Sequence, residues 1–144
     1  TEFNTILQHS RRPVLAVPES ARSPMDNVLL AYDGSPKADE ALFLSAYIAE
    51  AWQTLLTIVV VGETPDVRQA IVRADGYMKE HGINVEILNP AGNEAEQILN
   101  AMAQVEANLL LIGSFGRRPI FQLLVGSTLN TILRRIDQPI LICR

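Results

Sequence analysis

One cysteine in 144 residues, Cys143, excludes an internal disulfide; in its apolar terminal run it reads as a small buried hydrophobe rather than a redox group. No apolar stretch approaches the roughly 20 residues needed to cross a bilayer, and the first residues do not form a charged, apolar and small-residue leader. Basic residues are outnumbered: 12 Lys and Arg against 16 Asp and Glu leave a net charge of −4, which argues against nucleic acid as a main partner. A committed catalytic set is missing too. His9 and His81 lie far apart along the chain and read as surface or capping residues. With 48% hydrophobic residues and the length of one domain, the chain is expected to bury a real core and to work in a reducing cytoplasm, with no membrane and no nucleic acid as partner.

What is present is an alternation of strand and helix patterns. Asn27 to Tyr32, Thr54 to Val61 and Leu109 to Ile112 are short apolar runs that suit strands covered on both faces. Ile83 to Leu88 alternates apolar and polar residues, as a strand nearer the sheet edge does, and Pro139 to Cys143 is a last strand. Between them, Lys37 to Trp52 and Asp66 to His81 repeat apolar residues at three and four, with Pro36 placed to open the first helix and Gly82 to stop the second. Asn93 and Glu96 have capping-box spacing at the start of a helix running to about Glu106, and Ser127 to about Ile136 is a fourth helix. Such a chain is expected to be α/β, a doubly wound open parallel sheet.

The most informative stretch is Gly113-Ser-Phe-Gly116, nine residues, then Gly126-Ser127-Thr128. It leaves a buried strand and enters a helix, the setting in which bare backbone N–H groups meet an anionic phosphate. Glycine lets the backbone approach a ligand without a Cβ, and the Ser127 and Thr128 hydroxyls add donors at an electropositive helix start. The spacing is neither Walker A nor G-x-G-x-x-G, and no lysine lies in the loop; Arg117 and Arg118 are its only cations. If the first and fourth strands flank the reversal of strand order, Asp33 faces this loop across one crevice. A carboxylate opposite a phosphate cradle suits a ribose hydroxyl or a bound Mg²⁺. The blander readings are an Asx-turn or helix cap for Asp33, and a tight turn with a helix cap for the glycines.

The first residues echo the last. Asn4-Thr-Ile-Leu7 recurs as Asn130-Thr-Ile-Leu133, and Pro13-Val-Leu-Ala-Val17 parallels Pro139-Ile-Leu-Ile-Cys143, both at one offset of 126 positions (130 − 4 and 139 − 13). Residues 1–18 are therefore expected to be the last helix and strand of a preceding repeat, 19–26 a linker and 27–144 the domain itself. Val14–Val17 is expected to cover an open sheet edge by pairing with Ile140–Cys143, in the manner of two halves of a tandem protein.

Together these residues resemble the universal stress protein family from Asn27 to Arg144. The resemblance rests on Val28-Leu-Leu-Ala-Tyr-Asp33-Gly34-Ser35, on Asn108-Leu-Leu-Leu-Ile-Gly113-Ser-Phe-Gly116-Arg117, on Gly126-Ser127 and on Gln138-Pro-Ile-Leu-Ile142. In that family the G-x-x-G-9x-G-[S/T] pattern separates ATP-binding members from the others. The resemblance implies strand order 3-2-1-4-5 counted from Asn27, two-fold pairing through the last strand, and ATP, with or without Mg²⁺, between the first and fourth strands. By position, Asp33 lies near ribose or metal, and Val61, or Val60 with a shift of one, meets adenine through its backbone. Gly113 and Gly116 admit ribose and phosphates, with Arg117 beside them, while Gly126, Ser127 and Thr128 hold the phosphate tail. The implied function is a nucleotide-sensing module of the stress response, at most a slow ATPase. A nucleotide-free interaction or dimerisation module is the alternative.

Overall fold

The computed structural model describes residues 2–21, 24–113 and 127–144. Eleven elements alternate along them: α1 (Glu2–His9), β1 (Val14–Ala16), β2 (Asn27–Ala31), α2 (Pro36–Trp52), β3 (Leu55–Val59), α3 (Pro65–Glu80), β4 (Glu86–Leu88), α4 (Glu94–Gln104), β5 (Leu109–Gly113), α5 (Ser127–Arg135) and β6 (Ile140–Cys143). They build an α/β fold on one six-stranded sheet in the order β1-β6-β5-β2-β3-β4. The sheet is mixed. The strands from β2 onward are parallel, and β1 joins β6 antiparallel, with Leu15 opposite Leu141.

The central strands divide their side chains between two cores. Val28 and Leu30 of β2, with Leu109 and Leu111 of β5, face α2 and α3; Leu29, Ala31, Leu110 and Ile112 face α1, α4 and α5. Strands wrapped on both faces carry no polar residue at these positions, and each fully buried leucine contributes about 1.5–3 kcal/mol.

Helix starts follow local chemistry. Ser35, Thr64 and Asn93 each accept a hydrogen bond from the backbone N–H three residues on, and Pro36 and Pro65 occupy the first helical positions. Only half of the expected capping box forms: Asn93 Oδ1 accepts from the Glu96 N–H at 3.0 Å, while the Glu96 carboxylate pairs with Arg135 of α5. At the end of α3, Gly82 adopts φ +66°, the Gly82 N–H reaches Lys79 O and the Ile83 N–H reaches Met78 O at 2.9 Å. That closure takes Ile83 into the helix cap, and β4 begins only at Glu86, three residues later than the alternation of 83–88 predicts.

The amino ends of the central strands are tied together. The Asn27 N–H donates to Asn108 Oδ1 at 2.9 Å, Asn27 Nδ2 donates to Val105 O at 2.8 Å, and Asn108 Nδ2 donates to Asp26 Oδ1 at 2.8 Å. This latch sets β2 beside β5, so their carboxyl ends emerge together, Ala31 opposite Ile112.

Candidate functional site

From β2 the chain winds outward through β3 to β4, then returns to the other side of β2 to form β5 and β6. The winding reverses between β2 and β5, and a crevice opens beyond the carboxyl ends of strands at such a point. Asp33, Val61 and Gly113 follow or end β2, β3 and β5, three adjacent strands, so the fold brings these three sequence candidates to one end of the sheet. Ser127 and Thr128 open α5, where the Ser127 carbonyl accepts from Thr131 Oγ1 at 3.0 Å. Gly116, Arg117 and Gly126 lie outside the described residues.

Asp33 makes the Asx turn that its neighbours favour: Oδ1 accepts from the Ser35 N–H at 2.9 Å, with Gly34 at φ +78° between them. Tyr32, just before it, is buried at 3% exposure and donates its hydroxyl to Asp39 Oδ1 at 2.6 Å. Arg73 of α3 grips the same carboxylate with two bonds, Nε to Oδ1 at 3.0 Å and a terminal nitrogen to Oδ2 at 2.7 Å. Burial first, then the Asp39 carboxylate, pushes the Tyr32 phenol well above the ordinary tyrosine range, so it stays a donor. This network fastens the end of β2 to α2 and α3. Sequence reasoning missed it, because Asp39 and Arg73 are 34 positions apart and nothing local links them.

The second omission is Glu94. No carboxylate stands beside Asp33 in sequence, yet the fold brings one near from the first turn of α4. Lost hydration, then the charge of Asp33, raises the Glu94 carboxyl above the ordinary glutamate value. A residue of α4 reaches this end because the winding returns from β4 through α4 to β5, alongside β2.

At Gly113 the structure supplies a reason that sequence reasoning had given to the ligand. A Cβ there would stand 2.7 Å from Ala38 N and 2.8 Å from Lys37 C, in the backbone of the first turn of α2. Close packing of helix on strand already demands glycine at this position. Val60 and Val61, interchangeable in sequence, are separated by their hydrogen bonds. The Val60 N–H reaches Leu88 O at 2.9 Å, and Asn89 Nδ2 donates to Val60 O at 2.6 Å and to Gly62 O at 2.9 Å. The main chain of half-buried Val61 has no such partner among the described residues.

Other candidates fall away from chemistry. His9 Nδ1 meets Thr5 O and His81 Nδ1 meets Tyr77 O, each at 2.9 Å, so both rings serve the ends of their own helices. Cys143 is buried, and its thiol is pushed up to about 11 by lost hydration and then by Glu40. Among the described residues, no three His, Cys, Asp or Glu side chains gather to hold a metal, and no helix is long and apolar enough to cross a membrane.

Comparison with known proteins points one way. The universal stress protein family model matches residues 62–144, more than half of the chain. A universal stress protein of Synechocystis sp. is 30% identical over 142 residues, covering 96% of this chain and 49% of its own length. A universal stress protein from Archaeoglobus fulgidus superposes with a TM-score of 0.81 at 26% identity, covering 98% of this chain and 52% of that one. The structure of a universal stress protein in complex with cAMP shares the fold, with a TM-score of 0.70 at 24% identity over 85% of this chain and 98% of that one. The chain thus spans about half the length of the Synechocystis and Archaeoglobus proteins.

Proposed function

The chain belongs to the universal stress protein family, and from that premise we propose that it is a nucleotide-binding module of the stress response. Its ligand is ATP carried with Mg²⁺, and its turnover is at most slow. One observation carries the reading: the G-x-x-G-9x-G-S sequence leaves β5 at the point where the sheet reverses its winding, with Asp33 at the end of the neighbouring β2. Adenine meets the Val61 main chain, whose donor and acceptor have no described partner, while those of Val60 are taken. Gly116 and Gly126 supply the close backbone approach, and Ser127 and Thr128 the hydroxyls at the α5 N-terminus, with Arg117 the adjoining cation. Asp33 and Glu94 add negative charge that repels a bare triphosphate and favours one complexed with magnesium. The relative in complex with cAMP supports an adenine nucleotide for this fold and makes the cyclic nucleotide a competitor worth measuring.

One finding favours a second reading, an interaction module without nucleotide: the first glycine of the motif is accounted for by packing on α2. Isothermal titration separates the two. Saturable binding of ATP with Mg²⁺ in the parent, lost in Gly126→Val, supports the nucleotide module. The absence of binding heat with ATP, ADP, AMP and cAMP overturns it for this domain.

We also infer that the module is cytoplasmic and works in a tandem or dimer-like arrangement. Residues 1–18 are the last helix and strand of a preceding repeat, and 19–26 the linker. The internal offset of 126 positions (130 − 4 and 139 − 13) supports this arrangement.

A further inference from the structure

A helix that buries one face in a core is expected to turn polar residues outward on the other, and α2 does not. Its inner side is buried from Ala38 to Ala49, yet Phe43 and Tyr47, one turn apart on its outer side, stand 44% and 66% exposed. α3 runs alongside in the same direction, because its contacts with α2 keep one register. Arg73 grips Asp39, and the Tyr77 ring lies against the Phe43 ring with centroids 4.9 Å apart. Both pairs are 34 positions apart (73 − 39 and 77 − 43), so the next turn sets His81 level with Tyr47. The His81 ring in turn stacks on Tyr77, 4.2 Å between centroids and 29° between planes. Phe43, Tyr47, Tyr77 and His81 thus form one aromatic strip along the seam between the two helices.

The charges around the strip are unevenly spent. Among the basic residues of α2 and α3, Lys37 pairs with Glu40, Arg73 with Asp39 and Lys79 with Asp75, while Arg68 gives a terminal nitrogen to Glu63 O at the far end of α3. Glu50, three residues beyond Tyr47, and Glu80, beside His81, form no ion pair among the described residues. Both helices end here, at Trp52 and Glu80, and α2 has no basic residue in its last turn to meet the negative end of its dipole. His81 adds an acceptor. A carbonyl can only accept, so Nδ1 donates to Tyr77 O at 2.9 Å, and the neutral ring keeps its lone pair on Nε2.

We propose that this strip is a docking site for an arginine-bearing segment of a partner protein. The guanidinium lays its plane on the Tyr47 and Tyr77 rings, whose π faces attract it, and directs its N–H groups to the Glu50 and Glu80 carboxylates and to His81 Nε2. Apolar neighbours of that arginine cover Phe43. Aromatic residues at the centre with charge at the margin are the anatomy of a protein interface. A second copy does not suit it, because two-fold apposition brings Glu50 and Glu80 against the same carboxylates in a chain of net charge −4. The same two carboxylates repel an anionic lipid surface. The strip also points away from the crevice, since a helix joining parallel strands runs back toward their amino ends, so this inference does not depend on nucleotide binding.

Chemical-shift mapping tests it on the 144-residue chain without nucleotide. The probe is the capped peptide Ala-Leu-Arg-Leu-Ala, compared with the same peptide carrying citrulline, which keeps the shape of arginine and loses its charge. The arginine peptide is expected to shift the backbone amides around Tyr47 and His81 saturably, and the citrulline peptide to bind about tenfold more weakly. Tyr47→Ser, at an exposed site where the fold is spared, is expected to weaken the arginine peptide about tenfold, and Glu50→Gln combined with Glu80→Gln about threefold. Val72→Ser is expected to change nothing: Val72 is 72% exposed, but it lies about 140° around α3 from Tyr77. The absence of shifts on this face at roughly millimolar peptide overturns the proposal. So does equal binding of the two peptides, and so does a Tyr47→Ser variant that binds like the parent. Shifts of the same amides that grow with concentration of the chain alone would make a second copy the occupant and overturn it too.

Discussion

The two ends of the sheet differ in how far their polar groups are satisfied among the described residues. At the amino ends of the strands, the Asn27, Asn108 and Asp26 groups exchange hydrogen bonds, and the Leu55 N–H donates to Asp26 O and the Leu110 N–H to Pro139 O. A single buried side-chain polar atom among the described residues, Thr54 Oγ1, lacks a partner there. At the carboxyl ends, the Val61 main chain has no hydrogen-bond partner among the described residues, and the nearby Asp33 charge helps raise the Glu94 pKa. Saturated polar groups hold strands in register, whereas unsaturated groups and mutual repulsion are tolerated where a ligand is to supply the missing interactions. The comparison predicts that changes at the amino end cost stability and spare ligand binding, and that changes at the carboxyl end do the reverse.

Gly113 is the position most able to break that division, because it sits at the carboxyl end and yet serves packing. An alanine methyl 2.7 Å from Ala38 N has backbone, not a flexible side chain, in its way. Gly113→Ala is expected to destabilise by about 3 kcal/mol, the upper range for over-packing, seen as a lowered urea midpoint at unchanged slope. A variant of parental stability would show that α2 yields at no cost and return the glycine to the ligand. Asn108→Ala comes next. It leaves the half-buried Asn27 N–H without its acceptor and cuts the link to Asp26, for an expected loss of about 2 kcal/mol. Its nucleotide affinity should match the parent's in the same titration; a fall of tenfold or more would couple the two ends of the sheet.

Much of this division was legible in the sequence, and the illegible part has a common physical cause. Asn93 before α4, Pro36 after Ser35, and Gly82 after α3 act within a few residues, so their roles follow from local chemistry. The strands likewise announce themselves, because a strand buried on both faces leaves no room for polar residues. Asp33, Val61 and Gly113 stand out as candidates in the sequence because each ends an apolar run. Glu94 and Arg73 were missed because they reach β2 only through the winding of the chain, and helix patterns say which face is wet, not which strand end a wet residue overlooks. At Gly113 a packing constraint stays hidden in the sequence for a related reason. Sequence shows that a Cβ is absent, but only the fold shows that α2 fills the space.

A smaller effect tests how firmly the carboxyl end is fastened. Tyr32→Phe removes the 2.6 Å hydrogen bond to Asp39 but leaves the carboxylate its two bonds from Arg73. The expected cost is about 1–2 kcal/mol, below that of Gly113→Ala, because the acceptor is not orphaned. If Tyr32 also orients the turn that carries Asp33, ATP affinity should fall with Mg²⁺ present and change less without it. Equal losses in both conditions would make the bond a fastening of α2 alone.

The smallest effect on stability should come from Glu94→Gln, and its sign is the informative part. Because the folded state raises the Glu94 pKa, the native protein binds this proton more tightly than the unfolded chain does. The contribution of Glu94 to stability is therefore full below the ordinary glutamate value and is lost as pH rises through the raised one. Glutamine cannot ionise, so the variant should gain on the parent across that window and keep the advantage at neutral pH, read as a urea midpoint that falls less between pH 4 and 7. Magnesium-dependent nucleotide binding should weaken in the same variant, since half of the negative field that favours the complexed triphosphate is gone. A residue that lowers stability when charged yet is needed for binding is the signature expected of the carboxyl end. If glutamine instead lowers stability at neutral pH, Glu94 belongs with the latch residues, and the contrast between the two ends of the sheet fails at this position.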